Sequence, residues 1–333
     1  MTALWLIPAV TLAAAALTGG LRWYALTYSV LDLPNERSSH SVPTPRGGGI
    51  AIVIAFLAAV VVLASLNLVS VDVATAISGA GLAVALVGFV DDHSSIPAVW
   101  RLCAHLAAAS WALYWLGGAP PLEVAGRVFD LGWAGHLLWA IGMVWLLNLY
   151  NFMDGIDGIA GLEAVTVCAG AAGLYAAFGL PTVEWWLPAL LGAAALGFLV
   201  WNWPPARIFM GDGGSGFVGL MLGVLALRAA HQRPVLLWVW LMLLGVFIAD
   251  ATLTLLVRLW RGEKPHEAHQ GHAFQHAARA FRAHRPVTLA VGVINVCWLL
   301  PLAVGVMAGW ISPILGTIVA YLPLVWFAMR WRS

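Results

Sequence analysis

Charge is what this sequence has least of. Of its 333 residues only 9% are Asp, Glu, Lys or Arg, while 62% are apolar. A soluble domain normally carries roughly 25% charged residues, so there is too little polar surface to keep such a chain in water. Cysteine is scarce as well. Cys103, Cys168 and Cys297 are scattered through apolar segments with no CxxC spacing, so neither a disulfide framework nor a zinc site is implied. The net charge is +1 and there is no basic run, so nothing suggests a nucleic-acid partner. Internal repeats, a low-complexity tail and room for a separate soluble domain are all missing.

What the sequence has instead is long apolar runs. They fall at 3–21, 47–69, 74–90, 99–117, 134–150, 159–179, 185–202, 214–230, 235–259, 287–308 and 312–329. A spanning helix needs ~20 apolar residues, so eleven spans would use roughly two-thirds of the chain. The expected fold is an all-α, polytopic transmembrane helix bundle of about ten or eleven spans, one integral-membrane domain over residues 1–333. The first run lacks a basic leader and its positive charge, Arg22, follows it, so it is read as an uncleaved helix.

Orientation follows from Lys and Arg. With the N-terminus outside, Arg22, Arg37, Arg46, Arg101, Arg207, Arg258, Arg261, Lys264, Arg279, Arg282, Arg285, Arg330 and Arg332 lie at cytoplasmic ends. Only Arg127, Arg228 and Arg233 lie outside, and thirteen against three sets the C-terminus inside. Trp residues near run ends, such as Trp23, Trp133 and Trp310, suit interfacial anchors. The same topology gathers Asp91, Asp92, Asp154, Asp157 and Asp212 at the cytoplasmic face. Carboxylates are costly near hydrocarbon and persist where they bind or catalyse. Asp250, inside the ninth run, is expected to pair with a polar neighbour rather than take part in chemistry.

Three polar clusters and a loop interrupt the apolar pattern. They are GFVDDHSSIPAVWR, with Asp91, Asp92 and Arg101; NLYNFMDGIDGIAG, with Asn148, Asn151, Asp154 and Asp157; and WNWPPARIFMGDGGSG, with Asn202, Phe209 and Asp212. The loop EKPHEAHQGHAFQHAARAFRAHR carries His266, His269, His272, His276 and His284 with several arginines. Carboxylate and amide oxygens, with no Cys and no clustered His on one helix, suit a hard divalent cation, and magnesium leaves coordination positions for phosphate oxygens. Glycines around Asp212 let backbone N–H groups approach an anion at a helix N-terminus. His and Arg in a loop suit a diphosphate.

The ordered set DLPNERSSHSVPTPRGGGIAI, GFVDD, NLYNFMDGIDGIAG, FMGDGGSGFVG and the histidine loop resembles the polyprenyl-phosphate N-acetylhexosamine-1-phosphate transferases over residues 1–285. The loop segment EAHQGHAFQHAAR is most similar to the branch that initiates O-antigen. The resemblance implies an enzyme of the bacterial inner membrane that moves a sugar phosphate from a UDP-N-acetylhexosamine to undecaprenyl phosphate, releasing UMP. Magnesium, or manganese in its place, is the implied cofactor, and a homodimer is compatible with it. By similarity Asp212 and Asn151 match the metal-holding positions, and Asp91 and Asp92 the acidic pair near the lipid phosphate. Asp91, Asp92 and Asp212 are thus the catalytic candidates. Arg101 matches a phosphate contact, and Asp157 and Phe209 match the uracil site. Asn148, Asp154, Asn202, His269, His272 and Arg279 complete the substrate-binding set.

The sequence departs from the family pattern in two places. Where the family has HxHH, this chain has His272-Ala273-Phe274-Gln275. An extra C-terminal run also departs from the ten-helix translocase that acts on phospho-MurNAc-pentapeptide, the alternative within the family. A transporter or flippase would hold its polar residues near the midplane on broken helices, whereas these aspartates gather at one face. The DG…AR…G…D…D run of CDP-alcohol phosphotransferases and the HExxH of a metalloprotease are missing.

Overall fold

The computed structural model describes residues 4–28, 31–32, 42–263 and 271–331. Every apolar run read from the sequence folds as helix: α1 (Leu6–Thr27), α2 (Ile50–Ser65), α3 (Val71–His93), α4 (Ala98–Trp115), α5 (Gly132–Met153), α6 (Ile159–Ala177), α7 (Thr182–Asn202) and α8 (Asp212–Gln232). They continue with α9 (Val235–Leu243), α10 (Gly245–Trp260), α11 (Ala273–Phe281), α12 (His284–Ile294), α13 (Leu300–Met307) and α14 (Pro313–Arg330). A π-helical turn, Asn295–Leu299, joins α12 to α13 as one unit. His266 and His269 lie outside the described residues.

Among the described residues eight helical units are long and apolar enough to cross a membrane: α1, α3, α5, α6, α7, α8, the α12–α13 unit and α14. The ninth run breaks at Leu244, where α9 and α10 meet at 76°, and the pair qualifies as a further span if taken together. The other two runs are α2, apolar but only 16 residues long, and α4, which carries Arg101 and His105 along its length. The result is an all-α polytopic bundle with two short antiparallel strand pairs, β1 (Leu31–Asp32) with β2 (Thr44–Pro45) and β3 (Leu122–Val124) with β4 (Arg127–Phe129).

The helix that organises the site is α8. It is apolar all round and buried along almost its whole length, as such a helix must be. Flanking helices α3 and α5 reach it at backbone distance. A Cβ added to Gly88 of α3 would lie 2.6 Å from the Cα of Gly213, a spacing no side chain tolerates. Glycine at this crossing lets the C-terminal end of α3, with Asp91 and Asp92, lie against the N-terminus of α8. At the opposite end of α8, Arg228 donates to Glu184 of α7 at 2.7 Å. Removing one partner of such a buried pair costs about 3–5 kcal/mol, so the pair ties α7 to α8 strongly. The hairpin β3–β4, between α4 and α5, lies at that same far end.

Candidate active site

The site is built where three loops meet the start of α8. The segment after β2 runs beside the segment before α8: Phe209 N–H donates to Pro45 O at 2.8 Å, Gly48 N–H to Phe209 O at 2.9 Å, and Gly49 N–H to Met210 O at 2.9 Å. The chain then turns at Gly211, with φ 78, where a Cβ would meet Asp92 Oδ2 at 2.8 Å. Both the left-handed backbone and the contact require glycine here. Asp212 opens α8 immediately afterwards.

Asp91 and Asp92 are neighbours in sequence but not in function. Successive helical residues point about 100° apart, so the two carboxylates face different helices. Asp92 accepts from the Asp212 N–H at 3.0 Å and the Gly213 N–H at 3.3 Å, satisfying two of the donors a helix N-terminus leaves open. Asp91 faces α4, where it pairs with Arg101, and it accepts from Ile96 N–H at 2.8 Å. Arg46 closes the arrangement: its Nη2 lies 2.5 Å from Asp212 Oδ1 and 3.0 Å from Asp92 Oδ1. Burial alone would lower the Arg46 pKa, but Asp212 and Asp92, then Asp32 and Asp154, outweigh it and hold the guanidinium above its ordinary value. Asp154, at the end of α5, goes the other way from a free carboxylate. Desolvation, with the Asp212, Asp92 and Asp157 carboxylates, holds its carboxyl well above the usual range despite the opposing pull of Arg46.

The loop after α5 is pinned from several sides. Asn151 Nδ2 donates to Ser215 Oγ at 3.0 Å, which leaves its amide oxygen for the site. Asp157 Oδ2 accepts from Ala206 N–H at 3.0 Å, its Oδ1 lies 3.2 Å from His284 Nδ1, and its carbonyl accepts from Thr288 Oγ1 at 2.8 Å. Asn202 is buried; its Oδ1 accepts from Gly158 N–H at 3.0 Å and its Nδ2 donates to Ile208 O at 2.9 Å. Asn202 therefore clamps the DGIDG loop to the strand-like segment that carries Phe209.

Two cavities result, the first polar and the second part apolar. One, of about 220 Å3, is lined by Arg46, Asn151, Asp154, Asp157, Phe209 and Asp212. The other, of about 150 Å3, is lined by Asp91, Arg101, His105, Asn148, Asn151 and Asp212. Asn151 and Asp212 belong to both and form the wall between them. A wider cleft of about 640 Å3 adjoins the first cavity through Asp157, Gln275 and His284, and it carries Arg279, Arg282 and Arg285. Asn148 turns its Nδ2 back to Val144 O at 2.7 Å while still facing the second cavity.

His272 takes no part in lining these spaces. It is buried, with its Nδ1 3.6 Å from Asp250 Oδ1. Asp250 in turn accepts from Ala273 and Phe274 N–H at 3.0 and 3.1 Å, so it caps α11 and fastens that helix to α10. The polar neighbour expected for Asp250 is thus the start of α11. His269 lies outside the described residues.

Sequence reasoning passed over Arg46, Ser215, Gln275 and His105 as site residues, and gave His284 only a place in the histidine loop. Arg46 was counted only as a topology charge, although the PRGGG that carries it was a signal. Its partner Asp212 is 166 residues away, and loop pairing at that distance leaves no periodic trace.

A helical bundle that gathers its carboxylates, amides and arginines at one end, over two adjoining cavities, has the architecture of an integral-membrane enzyme. Residues 74–230 match the model of glycosyl transferase family 4, and this match, with the relatives below, supports a transferase of that family. It is 29% identical to the decaprenyl-phosphate N-acetylglucosaminephosphotransferase of Mycolicibacterium smegmatis, over 82% of this chain and 75% of the relative. It is also 29% identical to a probable undecaprenyl-phosphate N-acetylglucosaminyl 1-phosphate transferase of Bacillus subtilis, over 81% and 76%. A phospho-N-acetylmuramoyl-pentapeptide-transferase of Moorella thermoacetica is 33% identical over 58% of this chain and 64% of its own length.

Proposed function

We propose that this protein transfers an N-acetylhexosamine-1-phosphate from a UDP-sugar to undecaprenyl phosphate, releasing UMP. The observation that carries the reading is the shared wall of Asn151 and Asp212 between two adjoining cavities. Phosphoryl transfer needs two phosphates held in line with their charge neutralised, and little else from the protein. The cavity with Phe209 and Asp157 suits a nucleoside diphosphate: an aromatic face for the base and a carboxylate for its N–H. The cavity with Arg101 and His105 suits the phosphate of the lipid. An apolar cavity of about 280 Å3 between α5 and the α9–α10 bend, lined by Leu149, Trp145, Trp240 and Leu244, offers room for the polyprenyl chain.

In the reaction the lipid phosphate oxygen attacks the β-phosphorus. The new P–O bond forms as the bond to the UMP oxygen breaks. A monoester phosphate has its second pKa near ~6 and is mostly dianionic at pH 7, so Asp91 need not remove a proton. It orients Arg101 toward the attacking group. The oxygen donors of Asp212 and Asn151 fit magnesium, which takes few protein oxygens and leaves positions for phosphate. Bound there, the ion would neutralise the diphosphate and the departing UMP. The Lys and Arg asymmetry supports a cytoplasmic site in the inner membrane, with the N-terminus outside and the C-terminus inside.

For the sugar, the mycobacterial and Bacillus relatives carry N-acetylglucosamine in their names. Together with the loop sequence this favours N-acetylglucosamine or a 6-deoxy relative, at the start of an O-antigen or other cell-envelope polysaccharide. The test is purified protein with undecaprenyl phosphate, magnesium and a panel of UDP-sugars, reading UMP. The expected result is lipid-dependent release with a UDP-N-acetylhexosamine, lost in Asp212→Ala and on chelation. Release from none of them sinks the reaction, and a preference for UDP-MurNAc-pentapeptide sinks the branch.

A further inference from the structure

One of the two tightest charge contacts of the site is left unexplained by the metal position and the phosphate sites. Arg46 puts a single nitrogen, Nη2, on both Asp212 Oδ1 and Asp92 Oδ1. An oxygen that ligates magnesium sits at about 2.0–2.1 Å from the ion. A guanidinium 2.5 Å from Asp212 Oδ1 takes one of the directions from which an ion would approach that oxygen. Two positive centres on one oxygen would also repel each other in a partly desolvated cavity.

We infer that Arg46 is a built-in competitor of the divalent cation: its guanidinium neutralises Asp92 and Asp212 in the ion-free protein and turns to the donor's phosphates once a cation takes Asp212. Three further observations support this. The backbone on either side of Arg46 is fixed by the Pro45–Phe209 and Gly48–Phe209 hydrogen bonds, so the Cα stays at the rim of the nucleotide cavity whatever the head does. The side chain itself is 37% exposed, which leaves it room to swing. Finally, Arg46 lines the same cavity as Phe209 and Asp157, where a planar fork of donors matches phosphate oxygens. Asp92 gains a defined part in this scheme. With two backbone N–H bonds from α8 it stays in place and receives the guanidinium without leaving its cap.

The inference rests on the proposed reaction only for the identity of the donor; its first test needs neither donor nor lipid. Mn2+ binding to the detergent-solubilised protein is titrated by the loss of the free-ion electron paramagnetic signal, for wild type, Arg46→Met, Arg46→Lys and Asp212→Asn. Arg46→Met is expected to bind Mn2+ about tenfold more tightly than wild type, the equivalent of losing one ~1.4 kcal/mol competing interaction. Arg46→Lys, which keeps the charge but loses the fork, falls between them, and Asp212→Asn removes the site. Thermal unfolding with and without Mn2+ accompanies each titration. If Arg46→Met proves unstable, the lysine variant carries the comparison. Equal or weaker Mn2+ affinity in the arginine variants overturns the competition. In saturating Mn2+, Arg46→Met should bind the UDP-sugar at least tenfold more weakly; unchanged donor affinity overturns the second half of the inference. Neither result depends on UMP release, so failure of the reaction itself would be seen separately.

Discussion

Replacing Asn202 by alanine separates a residue that touches substrate from one that builds the site. The side chain is buried and joins two loops, taking the Gly158 N–H at 3.0 Å and giving to the Ile208 carbonyl at 2.9 Å. Alanine leaves both backbone groups without these partners. Each unsatisfied buried group costs about 1–3 kcal/mol. Water entry from the adjoining cavity relieves part of this, so the sum is set at about 2–4 kcal/mol. At ~2 °C per kcal/mol for a chain of this size, Asn202→Ala should unfold at least ~4 °C below wild type in detergent. Turnover falls with it, because Asp157 and Phe209 lose their fixed spacing. Asn202→Asp keeps the acceptor for Gly158 but sets an acceptor against the Ile208 carbonyl, so it should recover part of neither stability nor rate beyond the single retained bond. The assay is a melting curve beside UMP release at saturating donor. An alanine variant that melts like wild type and shows only a raised donor KM would refute the clamp and make Asn202 a substrate contact.

Asp91→Asn should slow single-turnover chemistry more than it weakens UDP-sugar binding, because Asp91 faces Arg101 in the cavity away from Phe209; lost nucleotide affinity with unchanged chemistry would contradict this. Asp250→Ala removes the cap on Ala273 and Phe274, and amide exchange across α11 should accelerate by about tenfold or more, the equivalent of one or two lost hydrogen bonds to a charged group; unchanged protection would show that α11 is held elsewhere. Exchange of segment 263–285, which includes α11, with that of a relative of different specificity should move sugar preference with the segment, and preference that stays with the rest of the bundle refutes that assignment. A reporter fused at Ser333 should read as cytoplasmic, and an external signal would undo the orientation.

The helices were the legible part of this protein because an apolar run of spanning length is a local property of the chain. The bend at Leu244 was not, since 235–259 is apolar on both sides of it and hydropathy carries no record of direction. The motif aspartates were legible as a set, but their division of labour was not. Whether Asp91 or Asp92 meets α4 or α8 depends on helix phase and on the close approach at Gly88 and Gly213. The place of His272 in the loop suggests a substrate contact, whereas the fold buries it against Asp250. The role of Arg46 required knowing that PTPRGGG and IFMGD lie side by side, and no spacing rule connects them.

The wall of Asn151 and Asp212 between the two cavities has a thermodynamic corollary. Groups that face both spaces make the occupancy of one a term in the free energy of the other. Whatever factor a lipid phosphate applies to donor affinity, the donor must apply to the affinity for the lipid phosphate. The sign of that factor reports the charge on the wall. Two anions facing bare carboxylates would exclude one another, while a wall carrying a cation would draw both in together. Equilibrium titrations of either substrate against a fixed level of the other, with and without divalent ion, would therefore measure the charge at the boundary where donor and acceptor meet.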